Sequence, residues 1–201
     1  MSWSKDNFRH GSRAASSETR LVFGKTPYLQ GMTAPPRRTI QAAVHIRPYT
    51  PADLNACLAL FASNCPPFFH PSERADYEAF LQDPADRGEY FVLEGGTDLV
   101  ACGGIWADTQ GVGGLSWGMV RGNSEGGGLH GQGLQGQGLG TRLTAYRLDL
   151  LRQRPEVRRV RLDTSQHTEA FYARQGFVVV DRTPDGFAPG LDEVKMLLDL
   201  T

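Results

Sequence analysis

Gln135-Gly136-Gln137-Gly138-Leu139-Gly140-Thr141-Arg142-Leu143 joins a strand-like run to a helix-like one, and its reading decides the rest of the chain. Leu115 to Val120 upstream reads as a strand. Thr141 to Arg152 downstream puts Leu143, Tyr146, Leu150 and Leu151 on one helical face. Glycines in succession let backbone N–H groups turn inward and let a ligand approach without side-chain clashes. A helix N-terminus adds about half a positive charge. Together they make a cradle for a pyrophosphate. The chain holds 24 glycines in 201 residues, well above the usual ~7%.

Two other readings compete for this stretch. Gly131-Gln132-Gly133-Leu134-Gln135-Gly136 also fits the dinucleotide pattern G-x-G-x-x-G. That reading needs a βαβ unit with an acid closing the next strand, ~20 residues on. Asp149 falls inside the helix, Asp163 stands too far along, and hairpins precede the strand. A flexible linker suits Gly126-Gly127-Gly128, but not glycines that abut an amphipathic helix.

Outward from the cradle, a mixed architecture emerges. Val44 to Tyr49 alternates as a first strand. Thr50-Pro51-Ala52-Asp53 then starts a helix, with a Thr cap, Pro in the first turn and an acid beside it. Leu54, Cys57, Leu58 and Phe61 follow helical spacing up to Pro66-Pro67. Pro71 and Ser72 open a second helix bearing Tyr77, Phe80 and Leu81. Tyr90–Glu94 and Leu99–Trp106 form a hairpin over Gly95-Gly96-Thr97-Asp98. After the long helix come a strand from Val157 to Asp163, a short helix from Thr168 to Gln175, and closing strands at Phe177–Asp181 and Glu193–Leu200. This order, β-α-α-β-β-β-α-β-α-β-β, predicts an α/β (α+β mixed) fold with a mixed, mostly antiparallel sheet and helices on both faces.

Composition excludes several classes. Hydrophobic residues make up 40% and charged residues 21%, enough for one core and too much for a disordered chain. The net charge of −1 argues against a nucleic-acid binder, and no apolar window suggests a membrane span. Cys57, Cys65 and Cys102 form no C-x-x-C and no metal-ligand cluster accompanies them, so reduced thiols in a cytoplasmic protein and no metal are expected.

Gln135-x-x-Gly138-x-Gly140 with Thr141-Arg142-Leu143 resembles the acyl-CoA motif of the GNAT acetyltransferase superfamily, (R/Q)-x-x-G-x-(G/A). Farther on, Ala170-Phe171-Tyr172-Ala173-Arg174-Gln175-Gly176-Phe177 is similar to that family's Phe-Tyr and Gly-Phe signature. Each motif alone is weak; the pair at this spacing, with a helix and a strand between, is specific. The resemblance covers 44–201 and implies acetyl-CoA as co-substrate. It also implies a fourth and fifth strand that splay apart, with the pantetheine arm lying along the fourth near Gly118-Met119-Val120. Gly118 suits a bulge there. Cofactor contacts are expected at Gly118, Met119, Val120, Gln135, Gly136, Gln137, Gly138, Leu139, Gly140, Thr141, His167 and Phe171. Two departures stand out. Arg121 to Leu134 is a long Gly-rich insertion, and Gly131–Gln135 nearly copies Gly136–Gly140, as a local duplication would. His167 stands where many relatives carry an Asn.

Acetyl transfer to an amine needs a deprotonated amine, a stabilised oxyanion and a proton for the departing thiolate. The resemblance places Tyr172 as the general acid; a phenol of pKa ~10 suits a thiol of pKa ~8.5. Asp108, Glu125, His130 and Glu73 are base candidates by location only, and water serves equally well. Ser63–His70 and the loop Asp185–Asp192 are expected to wall the acceptor. The expected reaction is direct transfer in a ternary complex to a small-molecule or peptide amine. The alternative is an idle acyl-CoA-binding module. The reading leaves room for a homodimer.

Residues 1–43 hold seven basic residues against Asp6 and Glu18, lack apolar periodicity and end near Pro35-Pro36. They read as a disordered basic extension ahead of one domain at 44–201. An Arg- and Ser-rich organelle-targeting segment is the other reading, and Met32 would make a natural start. Deleting 1–31 should leave melting temperature and acetyl-CoA affinity nearly unchanged; calorimetry on the shortened chain checks this, and a large fall in either would mean the extension docks.

Overall fold

The computed structural model describes residues 44–122 and 133–200. The basic extension, Glu125, His130 and the glycines of 126–131 lie outside the described residues.

Alternating apolar positions build the sheet. On strand β2 (Glu89–Gly95), Tyr90 and Val92 face one way, with Cys102 of β3 (Asp98–Ala107) and Met119 of β4 (Val112–Val120). They meet Cys57, Leu58 and Phe61 of α1 (Leu54–Ala62) and Tyr77, Phe80 and Leu81 of α2 (Arg74–Gln82). Phe91 and Leu93 face the other way, toward α4 (Leu139–Arg152) and its Leu143, Leu148 and Leu151. The period of two thus splits each strand between two cores, and helices cover both faces.

Seven strands form one sheet in the order β1-β2-β3-β4-β5-β7-β6, with β1 at Val44–Pro48, β5 at Arg159–Thr164, β6 at Val178–Ala188 and β7 at Leu191–Asp199. Every pairing is antiparallel except β4 with β5. That parallel pair is short: Val112, Gly113 and Gly114 match Arg159, Val160 and Arg161, and no further pairing joins the two strands. The sheet therefore opens into a seam along the rest of β4. The short helices α3 (Pro84–Arg87) and α5 (Glu169–Ala173) and the 3-10 turns Pro51–Asp53 and Pro71–Glu73 complete the described elements.

Three expectations need adjustment. The fourth strand starts at Val112, not Leu115, because Gly113 and Gly114 carry no hydrophobic signal yet pair with both neighbours. The stretch Asp185–Asp192 is mostly strand, turning only at Pro189-Gly190. Its polar residues close the hairpin: Asp185 accepts from the N–H of Gly190 at 2.6 Å, and Asp192 from that of Asp185 at 3.1 Å. The single turn α3, capped by Asp83, gave no periodic signal. Among the described residues no helix is long and apolar enough to cross a membrane.

Arg47 ties the first strand to the helical layer. Its guanidinium donates to both oxygens of Asp53 at 2.7 and 2.8 Å and to Glu94 at 2.7 Å. Asp53 also accepts from the Thr50 N–H at 2.8 Å, which closes the turn leading into α1. The hydrogen bonds from Arg47 hold the Asp53 carboxyl at about 2, down from 3.8. A depressed carboxyl stabilises the fold above its ordinary pKa and loses that contribution as pH falls toward its folded value. Asp53→Asn should cost about 2 kcal/mol near neutral pH. Urea unfolding across pH should show the gap between variant and wild type closing from about pH 4 down to pH 2.

Candidate active site

Leu134 is buried, 5% exposed, and its N–H donates to the Arg121 carbonyl at 2.9 Å. A turn over Gln135–Gly138 follows, with Gly136 at φ 77° and Gly138 at φ 81°. L side chains rarely adopt that conformation, so glycine is the fitting residue. Gly138 caps α4 without a side chain, and the first turn holds no acid, so the N–H groups and dipole of the helix end stay available to an anion. A Cβ on Gly136 or Gly138 would meet nothing within 4 Å, so the space over the turn is open. A cavity of about 230 Å³ lies here, lined by Val44, Gln137, Gly138, Leu139 and Arg142. Arg142 reaches back to donate to the Val44 carbonyl at 2.7 Å. Open glycines, a bare helix end and a cation fit a pyrophosphate. Thr141 is exposed on the same turn. Gly140 packs instead: its Cβ would lie 3.4 Å from the ring of Phe171 and 3.6 Å from Val120. These three expected residues meet where β4, α4 and α5 converge.

Along the seam, β4 is bulged. Cys102 pairs with Met119 and Gly104 with Ser116, so Trp117 and Gly118 together oppose Gly103 alone. Trp117 sits at φ 41°, and its carbonyl accepts from the Tyr90 hydroxyl at 2.9 Å. Tyr90 in turn bonds the Tyr77 hydroxyl at 2.8 Å. Burial pushes both phenols well above 10, so they stay neutral. Arg121 donates its N–H to Val100 on β3 at 2.9 Å. By strand alternation the backbone groups of Val120 point the other way, into the seam.

The end of α1 clamps that seam to the cradle. Asn64, 3% exposed, donates to the carbonyls of Leu60 at 2.8 Å and Val120 at 3.0 Å, and accepts from the Gln135 side chain at 2.9 Å. Ser63 accepts from the Gly122 N–H at 3.0 Å. Sequence reasoning placed Ser63 and Asn64 in an acceptor wall; they join strand to cradle. Phe69 packs against Trp117, stacked with centroids 5.9 Å apart.

Across the seam, α5 carries Phe171 and Tyr172. The Tyr172 ring packs edge-on to Phe171 at 5.0 Å and to Phe177 at 5.8 Å. Its hydroxyl has no hydrogen-bond partner among the described residues. His167 is exposed, with Phe68 6.3 Å away edge-on. Two base candidates have structural work. Glu73, 6% exposed, accepts from the His70 N–H at 2.9 Å and caps the turn before α2. Asp108 accepts from Gln110 and Val112 at 2.8 and 2.9 Å, closing the β3–β4 turn at the far end of the strand from the bulge. Among the described residues no group of His, Cys, Asp and Glu could hold a metal. Sequence reasoning quoted Arg142 without giving it a role and missed Asn64 as the link between strand and cradle. An arginine in the first turn after a glycine cradle was the available signal for the first; nothing local marks the second.

Residues 56–177 match the acetyltransferase (GNAT) family. The fold is similar to an N-acetyltransferase from Staphylococcus aureus Mu50, with a TM-score of 0.58 and 17% identity over 80% of this chain and 100% of that one. It is also similar to the ribosomal-protein-S18-alanine N-acetyltransferase from Escherichia coli, at 0.58 and 20% over 79% of this chain and 95% of that one. An acetyltransferase of the GNAT family from Streptococcus pneumoniae gives 0.56 and 20% over 79% and 100%. No curated protein matches the chain by sequence.

Two glycines separate backbone strain from ligand contact. Gly138 and Gly190 have φ of 81° and 78°, and a Cβ on either meets nothing within 4 Å, but only Gly138 borders the cradle. Valine at either should cost stability from the left-handed backbone, at least 1–2 kcal/mol by the usual order of magnitude. Calorimetry should show acetyl-CoA binding at least tenfold weaker, about 1.4 kcal/mol, for Gly138→Val and unchanged for Gly190→Val.

Proposed function

This chain belongs to the acetyltransferase (GNAT) family, and on that premise we propose that it transfers an acetyl group from acetyl-CoA to a primary amine by direct transfer in a ternary complex. The observation that carries this reading is the seam between β4 and β5, open beyond three paired residues, with the glycine cradle at its mouth. Acetyl-CoA, when bound, supplies an activated thioester. Gly136, Gly138 and the first N–H groups of α4 bind its pyrophosphate, with Arg142 adding charge and Gln135, Gln137, Leu139, Gly140 and Thr141 shaping the turn. The backbone of Gly118, Met119 and Val120 holds the pantetheine arm. Phe171 closes the seam from α5, and His167 offers an imidazole in place of the amide that many relatives carry. Phe69 and Trp117 bound the acceptor side. The amine reaches the site through this aromatic wall and belongs to a small molecule or a peptide. No side chain is assigned as general base; water takes the amine proton. Three free thiols suit the reducing cytoplasm.

Tyr172 delivers a proton to the departing sulfur. Because its hydroxyl bonds no described residue, Tyr172→Phe removes a proton donor without breaking a protein hydrogen bond. Melting temperature and acetyl-CoA affinity should stay near wild type, while the single-turnover rate drops roughly 10²–10⁴-fold. Rapid-quench kinetics with the best acceptor from a mass-shift panel measures this. A rate within threefold of wild type would remove Tyr172 from the reaction, and a panel with no acetylated product would favour an idle binding module.

A further inference from the structure

Arg147 lies on the core-facing stripe of α4, one turn from Leu143 and one from Leu151, where an apolar residue would be expected. It is 1% exposed and among the largest fully buried side chains of the described residues. No carboxylate pairs with it there. Its contacts are weak: the Gly104 carbonyl at 3.4 Å and the Thr144 hydroxyl at 3.5 Å, with Nε left without a partner. A guanidinium does not shed its proton in a protein, and a buried cation without a counter-charge is costly. Stability alone would select leucine or methionine at this position.

The sheet is built around the guanidinium. A Cβ on Gly103 would lie 2.7 Å from Nη1, and one on Gly118 would lie 2.8 Å from Nη2. Any side chain at either position would displace the arginine. Gly103 and Gly118 are also the two strands' residues at the bulge. The unpaired charge therefore sits against the distorted stretch of β4 that borders the open seam. On the opposite face, Tyr90 holds the Trp117 carbonyl at 2.9 Å.

We propose that Arg147 is an electrostatic positioning residue for acyl transfer, acting through the bulged Trp117–Gly118 backbone to polarise a carbonyl held against it in the seam. The proposal rests on the acetyltransferase reading above. A carbonyl under nucleophilic attack gains negative charge on oxygen while its π bond breaks. A cation fixed by packing stabilises that charge without reorganising, and low polarity around it strengthens the effect. The buried charge thus finds its counter-charge during the reaction and not in the resting fold.

The test uses the full chain as wild type, Arg147→Met and Arg147→Lys, with acetyl-CoA carrying ¹³C at the acetyl carbonyl. Infrared difference spectra should place the bound carbonyl stretch lower in wild type than in Arg147→Met, with Arg147→Lys between them. Acetyl-CoA affinity should stay within about threefold, and single-turnover acetylation should fall roughly tenfold to a hundredfold in Arg147→Met. The melting temperature of Arg147→Met should equal or exceed that of wild type, since an apolar side chain of similar length replaces an unpaired charge. Equal carbonyl frequencies in wild type and Arg147→Met overturn the proposal and leave the acetyltransferase reading standing. Failure of the wild type to bind acetyl-CoA overturns both. If Arg147→Met does not fold, Arg147→Gln takes its place, and equal frequencies there are equally decisive.

Discussion

One extra residue in β4 shapes the site. Trp117 and Gly118 share a single partner on β3, and the bulge turns the strand's backbone where the sheet opens. A bulge strengthens local twist and bends its strand away from a neighbour. Here the neighbour on the open side is β5, which pairs with β4 over three residues only. A seam this long would ordinarily leave an open edge of unmatched N–H and C=O groups. Its persistence makes sense if a ligand's extended amide chain completes the ladder.

Side chains from three directions pack against the strand that borders the seam. The paired phenols Tyr77 and Tyr90 reach the Trp117 carbonyl from the α1–α2 face. Arg147 fills the glycine-lined space on the α4 face. Asn64 caps Val120 at the end of the strand and grips Gln135 in the cradle. The two ends of the site therefore share one side chain. A shift of α1 would be felt at the glycine cradle and at the strand together, because buried amide hydrogen bonds are costly to leave unmade.

The glycine cradle and the aromatic cluster beside the bulge are built differently. Glycines at positive φ fix the cradle, and buried Leu134, Leu139 and Leu143 anchor both its ends in one apolar cluster. At the bulge, Trp117 meets Phe61, Phe69, Tyr77 and Phe80. Two acids considered as bases, Glu73 and Asp108, accept from N–H groups in local turns.

The sequence by itself determined the order of elements, the two faces of the sheet and the place of the cradle. These depend on period-two and helical spacing, on Gly and Pro punctuation, and on glycines abutting an amphipathic helix, all of which act over a few neighbouring residues. It also pointed to a bulge at Gly118. Tertiary structure alone decided what depends on residues distant in the chain. Arg147 looks like a break in an apolar stripe until Gly103 and Gly118 are seen to make room for it. Asn64 reads as part of an acceptor wall until Val120 and Gln135 arrive beside it. Glu73 and Asp108 differ: their partners are near neighbours in the chain, and only the folded turn shows the N–H groups pointing at them. Periodicity records which face a residue takes; it carries no record of the partner across the fold, and burial of a polar group is favourable or costly only according to that partner.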